Sequence, residues 1–223
     1  MIKTIIDFFL HIDKNLAWII GAFGGWSYAI LFLVIFVETG LVIMPFLPGD
    51  SLLFAAGALT ASLGVFNIFL LWGLMIMAAF VGDTVNYWIG HTIGSKAFDP
   101  NYRLKVFSYE LRVSKILKPE YLIKAQGFYD KHGGKAIILA RFVPIVRTFA
   151  PFVAGVSKMS YPKFLSFNLV GGALWVSAFV WGGYLFGNIP LVKDNFHYSV
   201  VLIVLISVVP IGVEWVKSRR ARI

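Results

Sequence analysis

The chain alternates long apolar blocks with short polar breaks, and a single interval, residues 95–135, is polar over most of its length. Residues 2–20 place Ile5, Phe8, Phe9, Ile12, Leu16 and Ile19 at close to helical spacing, with Lys3, Asp7, Lys14 and Asn15 between them. That pattern predicts an amphipathic helix lying in a membrane interface over residues 1–20. Residues 21–37 form a first transmembrane block that runs straight into Glu38. A crossing takes about 20 residues, so this block must borrow the turns that follow Glu38. Residues 66–94, 164–187 and 198–216 are each long and apolar enough to be further crossings.

Two apolar stretches do not read as plain spans. The first, Glu38–Gly57 (ETGLVIMPFLPGDSLLFAAG), carries the acids Glu38 and Asp50 together with Pro45, Pro48 and Gly49. Proline lacks the N–H donor and clashes with the preceding turn, so Pro-x-x-Pro-Gly-Asp cannot continue a straight helix. Backbone broken at membrane depth is tolerated only where protein buries it or a wet cavity lies beside it. Residues 38–65 are therefore expected to form a re-entrant helical hairpin. The second stretch, residues 136–156 (AIILARFVPIVRTFAPFVAGV), holds Arg141 and Arg147, with Pro144 between them and Pro151 beyond. An arginine at the bilayer centre costs about 2.5–3.5 kcal/mol on insertion scales, so both need partners. A second re-entrant hairpin is expected here, broken at the prolines.

Composition narrows the class. Of 223 residues, 59% are hydrophobic and only 14% charged, where a soluble chain has roughly a quarter charged. The fold class is therefore an all-α polytopic membrane protein, one membrane domain over residues 1–223. The net charge of +9 fits positive residues retained on the cytoplasmic face better than nucleic-acid binding. Cysteine is absent, which removes disulfides, thiolate metal sites and thiol catalysis. No signal peptide is expected, because Asp7, His11 and Asp13 interrupt the start. In the 95–135 interval, the segment after Pro119 sets Tyr121, Leu122, Ala125, Phe128 and Tyr129 on one face. That predicts an amphipathic helix on the cytoplasmic headgroups, ended by Gly133 and Gly134. The basic tail KSRRAR and the basic 95–135 interval both fall inside when the spans are counted back from the C-terminus, leaving both termini cytoplasmic. The same count makes the two hairpins enter from opposite faces, as an inverted repeat. PFLPGDSLLFAAG (45–57) and PIVRTFAPFVAG (144–155) resemble each other accordingly.

The chemistry follows from the charges. If the hairpins meet, Glu38 and Asp50 can neutralise Arg141 and Arg147. The plainest role for them is then an ion-pair lock, since buried charge without pairing is strongly disfavoured. A functional role is also open. Arginine's planar fork suits phosphate bidentately, and a carboxylate reachable by water can take up a proton. Asp83, Asn86 and Tyr87 share a helix face; an interhelical hydrogen-bonding role is weighed there ahead of an accessory substrate contact. Gly171, Gly172, Ala173 and Ser177, then Gly183 and Gly187, offer small faces for close helix approach. Enzymatic activity is not expected: no nucleophile-elbow, Walker or HExxH pattern occurs, and His11, His91, His132 and His197 are scattered without metal-ligand spacing. No metal and no cofactor are expected.

The segments ETGLVIMPFLPGD (38–50), GDTVNYWIGHTIG (82–94), FYDKHGGKAIILARFVPIVRTFAPFVAG (128–155) and FLSFNLVGGALWV (164–176) resemble the DedA family of bacterial inner-membrane proteins, also described as SNARE-associated or VTT-domain proteins. The resemblance covers most of residues 28–187, and His91 stands where the family often has arginine. It implies a lipid translocase with two opposed re-entrant hairpins, acting in recycling of undecaprenyl phosphate across the cytoplasmic membrane. It also implies functional acids at Glu38 and Asp50 and functional arginines at Arg141 and Arg147. The partners implied are a lipid phosphate, protons and the membrane, with homo-oligomerisation open and no nucleic acid. A general phospholipid flippase or scramblase, and a proton-coupled small-ion or drug transporter, remain alternatives.

Overall fold

The computed structural model describes residues 21–41, 49–93, 96, 103–106, 109–112, 123, 127, 129–142, 144–187 and 189. The expected interfacial helix (1–20), Pro45 and Pro48, much of the 95–135 interval and the expected last span (198–216) lie outside these residues. After a short 3-10 turn at Gly24–Trp26 come α1 (Ser27–Gly40), α2 (Gly49–Leu63) and α3 (Ile68–Ile93). Two strands follow, β1 (Arg103–Val106) and β2 (Tyr109–Arg112), and then α4 (Lys135–Ala140), α5 (Pro144–Val156) and α6 (Tyr161–Gly187).

Among the described residues, three helices are long and apolar enough to cross a membrane: Gly21–Gly40, Ile68–Ile93 and Tyr161–Gly187. At 1.5 Å per residue the 26 and 27 residues of α3 and α6 reach about 39 and 40 Å. The hydrocarbon core is roughly 30 Å thick. The 15 residues of α2 and 13 of α5 reach only about 22 and 20 Å, too short to cross.

Local chemistry sets the helix ends. Asn67 caps α3, its Oδ1 accepting from the Phe69 and Leu70 N–H groups at 3.1 Å each. Between α4 and α5 the chain tightens into i→i−3 bonds, Arg141 N–H to Ile138 O and Phe142 N–H to Leu139 O. Pro144 then opens α5, where its missing N–H costs nothing. The break expected from Pro144 is therefore present. Pro151 is a correction: it lies inside α5 and does not end it. Its fixed φ suits a helix, and the lost donor is a single bond in a short helix packed on both sides. After α5 the Met159 N–H reaches back to Ala154 O at 3.0 Å, with Lys158 in the left-handed region at φ 52°.

The described membrane segments are α-helical as expected, and the polar interval adds one short hairpin. β1 and β2 pair antiparallel, with Arg103 opposite Arg112, Leu104 opposite Leu111, Lys105 opposite Glu110 and Val106 opposite Tyr109. The sequences RLKV and YELR alternate polar and apolar residues with period two, which is a strand signal rather than a helix signal.

By packing, the helices fall into two compact units. One gathers α1 up to Val34, α2, α3 up to Met77 and α6 from Leu174. Here α2 and α6 touch backbone to backbone. A Cβ at Gly57 would stand 2.2 Å from Val180 O, and one at Gly183 would stand 2.0 Å from Phe54 O. Trp72 Nε1 donates to Ser177 Oγ at 2.8 Å across the same unit. The other unit gathers α1 from Ile35, α3 from Ala78, α4, α5 and α6 up to Ala173. In it Gly90 of α3 meets Phe152 of α5, and Gly155 of α5 meets Tyr87 of α3, each with room for no Cβ. Around them lies a core of Tyr87, Ile137, Ala140, Ala150, Ala154, Met159 and Phe164. Tyr87 stacks on Phe164 at 4.5 Å between ring centroids.

Candidate functional site

Among the described residues the second unit buries four charged side chains: Glu38, Asp83, Arg141 and Arg147. Glu38 ends the apolar run of α1 and is 1% exposed. Arg147, one turn into α5, is 9% exposed, and its Nη2 donates to Glu38 Oε1 at 2.7 Å. Arg141 lies at the end of α4, in the break, and its Nη2 donates to Asp83 Oδ2 of α3 and to Asn168 Oδ1 of α6. Asp83 and Arg141 are each 4% exposed. Burial of this depth without a partner would cost several kcal/mol per ion, so each pair is what makes its members tolerable in an apolar setting.

Neutral polar groups frame these pairs. Asn86 Nδ2 donates to Thr39 O at 3.0 Å and to Thr148 O at 2.9 Å. Two acceptors on one amide end fix which end is nitrogen. One side chain on α3 thereby ties α1 to α5. Asn86→Leu is expected to destabilise the protein by about 1–3 kcal/mol, because two buried carbonyls would lose their donor; thermal unfolding in detergent measures this. Tyr87 O–H donates to Met159 O, holding the turn after α5. Tyr129 borders the core of this unit, and burial, helped by neighbouring Asp130, pushes its phenol above the usual tyrosine range.

Asp50 stands in the first unit. It lies in the first turn of α2, where a carboxylate suits the helix dipole, and it accepts from Trp175 Nε1 of α6 at 2.8 Å. Gly49 opens the same helix and is buried.

The site residues expected from sequence thus divide. Glu38 meets one of the two arginines, Arg147, whereas Asp50 is held by Trp175. Arg141 pairs with Asp83, which sequence had placed among accessory contacts, and Asn86 and Tyr87 serve as hydrogen-bonding residues between helices. Sequence reasoning missed Asn168 and Trp175. The signal for Asn168 was a lone amide inside an apolar span, FNLVGG. The small residues divide too. Gly183 and Gly187 admit the backbone of α2, whereas Gly171 and Gly172 lie against the Arg141 side chain. Among the described residues no three His, Asp or Glu side chains come together to hold a metal.

Comparison with known proteins places this arrangement. The VTT domain model matches residues 47–185. Protein DedA of Escherichia coli K12 is 52% identical over 224 aligned residues, 99% of this chain and 96% of the relative. The chain belongs to the DedA family of VTT-domain membrane proteins. An uncharacterized membrane protein of Mycobacterium tuberculosis H37Rv is 39% identical over 91% of the chain and 84% of its own length. The inner membrane protein YghB of Escherichia coli K12 is 34% identical over 75% of the chain and 71% of its own length. No solved structure matches. With these relatives and its three apolar spans, the DedA-family chain is a multi-pass protein of the bacterial inner membrane.

Proposed function

We propose that this DedA-family protein is a lipid translocase that carries a phosphate headgroup across the cytoplasmic membrane, drawing on the proton gradient, with undecaprenyl phosphate as the substrate. The observation that carries this reading is the buried pair of arginines, each already holding a carboxylate, one in a helix break and one a turn into the helix that follows it. Arginine binds phosphate bidentately with the same fork that binds a carboxylate. A phosphate can therefore replace the carboxylate once a proton has neutralised it. Glu38 and Asp50 are the proton-binding acids in this reading, and Arg141 and Arg147 hold the headgroup. The two short helices α2 and α5 support re-entrant hairpins, and the lysine and arginine count supports opposite entry, an inverted repeat and cytoplasmic termini. The protein is a transporter rather than an enzyme in this account.

Reconstituted liposomes test it. Gradient-driven inward movement of undecaprenyl phosphate is expected to collapse in Asp50→Asn, and undiminished transport would end the case for proton coupling at that acid. Competition separates the alternatives: undecaprenyl phosphate should displace itself, while phosphatidylethanolamine or a drug cation should not. Effective competition by phosphatidylethanolamine would favour a general flippase, and competition by the cation a drug exporter. Arg147→Lys should lose headgroup binding, because an ammonium cannot form the two parallel bonds of the guanidinium.

A further inference from the structure

Asp83 is the buried carboxylate that the reading above leaves without a task. Its partner Arg141 is held more elaborately than an ion-pair lock needs. The Arg141 stem lies against α6 at Gly171, where a Cβ would come within 3.1 Å of its Cδ and Nε, and its guanidinium lies over Gly172. One turn before those glycines, Asn168 accepts from Arg141 Nη2. The other end of that amide donates to Phe80 O of α3 at 3.2 Å. This second bond fixes the amide's orientation, so its oxygen must face the guanidinium. Asn168 is fully buried and brings no charge. Asn168 is thus a fixed neutral acceptor for Arg141, beside the ionic partner Asp83.

The charged groups acting on Asp83 are Arg141 and Arg147. Glu38 of α1 answers Arg147, and the facing residue of α6, Asn168, is neutral. Among the described residues the unit therefore contains the ion pairs Glu38–Arg147 and Asp83–Arg141. A phosphate whose bidentate grip includes the Nη2 of each arginine displaces both carboxylates, since Nη2 is the atom that each arginine gives to its acid. A displaced carboxylate left ionised at this depth would be costly, so it takes a proton from the aqueous side. Asp83⁻·Arg141⁺, a proton and the phosphate become neutral Asp83 and Arg141⁺·phosphate.

Resting on the lipid-phosphate reading, we propose that Asp83 is the counter-ion a phosphate headgroup displaces at Arg141, taking up a proton as it leaves. Asn168 is the positioning residue that keeps the guanidinium aimed through the exchange. Glu38 is then not the sole acid of this unit coupled to headgroup binding.

The test uses the full-length protein in nanodiscs, with farnesyl phosphate as the probe and inorganic phosphate and farnesol as the other arms. Affinity is measured between about pH 6 and pH 8, and proton uptake is read from its slope. In the wild-type protein, binding is expected to tighten as pH falls. Asp83→Asn should lower proton uptake by about one per phosphate bound and tighten binding at the alkaline end several-fold, since the competing charge is gone. The headgroup's own titration cancels in this comparison. The exchanged pair Asp83→Asn/Asn168→Asp returns a carboxylate to Arg141 and should recover the slope. Asn168→Ala should weaken binding about tenfold with the slope unchanged, as expected of a positioning residue. Should Asp83→Asn fail to fold, Glu38→Gln/Asp50→Asn decides, because about one proton should remain coupled to binding. A full wild-type slope in Asp83→Asn, or no remaining proton in the Glu38→Gln/Asp50→Asn protein, overturns this inference alone. A wild-type protein that binds no farnesyl phosphate overturns the parent reading as well. Equal binding of inorganic phosphate would assign the site to free phosphate rather than a lipid.

Discussion

Arg147→Leu is expected to abolish lipid-phosphate transport and to lower the unfolding free energy by about 3–5 kcal/mol, because it removes one member of a buried ion pair. Glu38 is 1% exposed, so its carboxylate cannot recover solvation by turning to water. The structural and transport losses can be separated. In Glu38→Gln/Arg147→Leu no carboxylate remains to be neutralised, and most of the stability should return, since apolar or neutral replacements of whole buried pairs are often tolerated. Transport should stay lost, because the headgroup has no fork to bind. Thermal unfolding in detergent reads the first effect and flux of undecaprenyl phosphate in liposomes the second. A double variant that is stable and still transports would reduce Arg147 to a lock between α1 and α5.

The second large effect belongs to the contact between α2 and α6. Gly183→Ala would place a methyl group 2.0 Å from Phe54 O and 3.0 Å from Phe54 Cα. Both obstacles are backbone, so no side chain can rotate away and the helices must part. Overpacking of this kind costs about 1–3 kcal/mol, and Gly183→Leu should fail to accumulate in the membrane. Gly57→Ala meets Val180 O at 2.2 Å and should behave like Gly183→Ala. Gly73 is the control. It lies inside α3 with nothing within 4 Å of its added Cβ, so Gly73→Ala should be neutral or gain up to about 1 kcal/mol from helix propensity. Equal melting temperatures for Gly183→Ala, Gly73→Ala and wild type would mean that α2 and α6 do not pack this closely.

Glycine spacing alone did not distinguish these roles. Gly171–Gly172 and Gly183–Gly187 read alike in sequence, as small faces on one helix. The first pair admits an arginine side chain and the second a helix backbone. What differs is the neighbour, and the neighbour comes from α4 and the break after it in one case and from α2 in the other.

The sequence by itself determined where the described apolar helices run, where the chain breaks around Arg141 and Pro144, and that two acids and two arginines would need partners at depth. These are local properties. Lipid obliges a crossing segment to satisfy its own backbone, proline acts on its own turn, and the cost of burying a charge is a property of that residue. The β1–β2 pairing was local as well, written in an alternation within the polar interval. Only the tertiary structure decided which acid serves which arginine. Arg141 and Asp83 are 58 residues apart and Arg147 and Glu38 are 109 apart, and no spacing rule reaches across such distances. Helix packing through Gly40, Gly82, Gly90 and Gly155 brings these partners together. The separate contact of α2 with α6 gives Asp50 the indole of Trp175, and the packing of α3, α4 and α6 turns Asp83 and Asn168 from an acid and an amide on two apolar helices into the setting of Arg141.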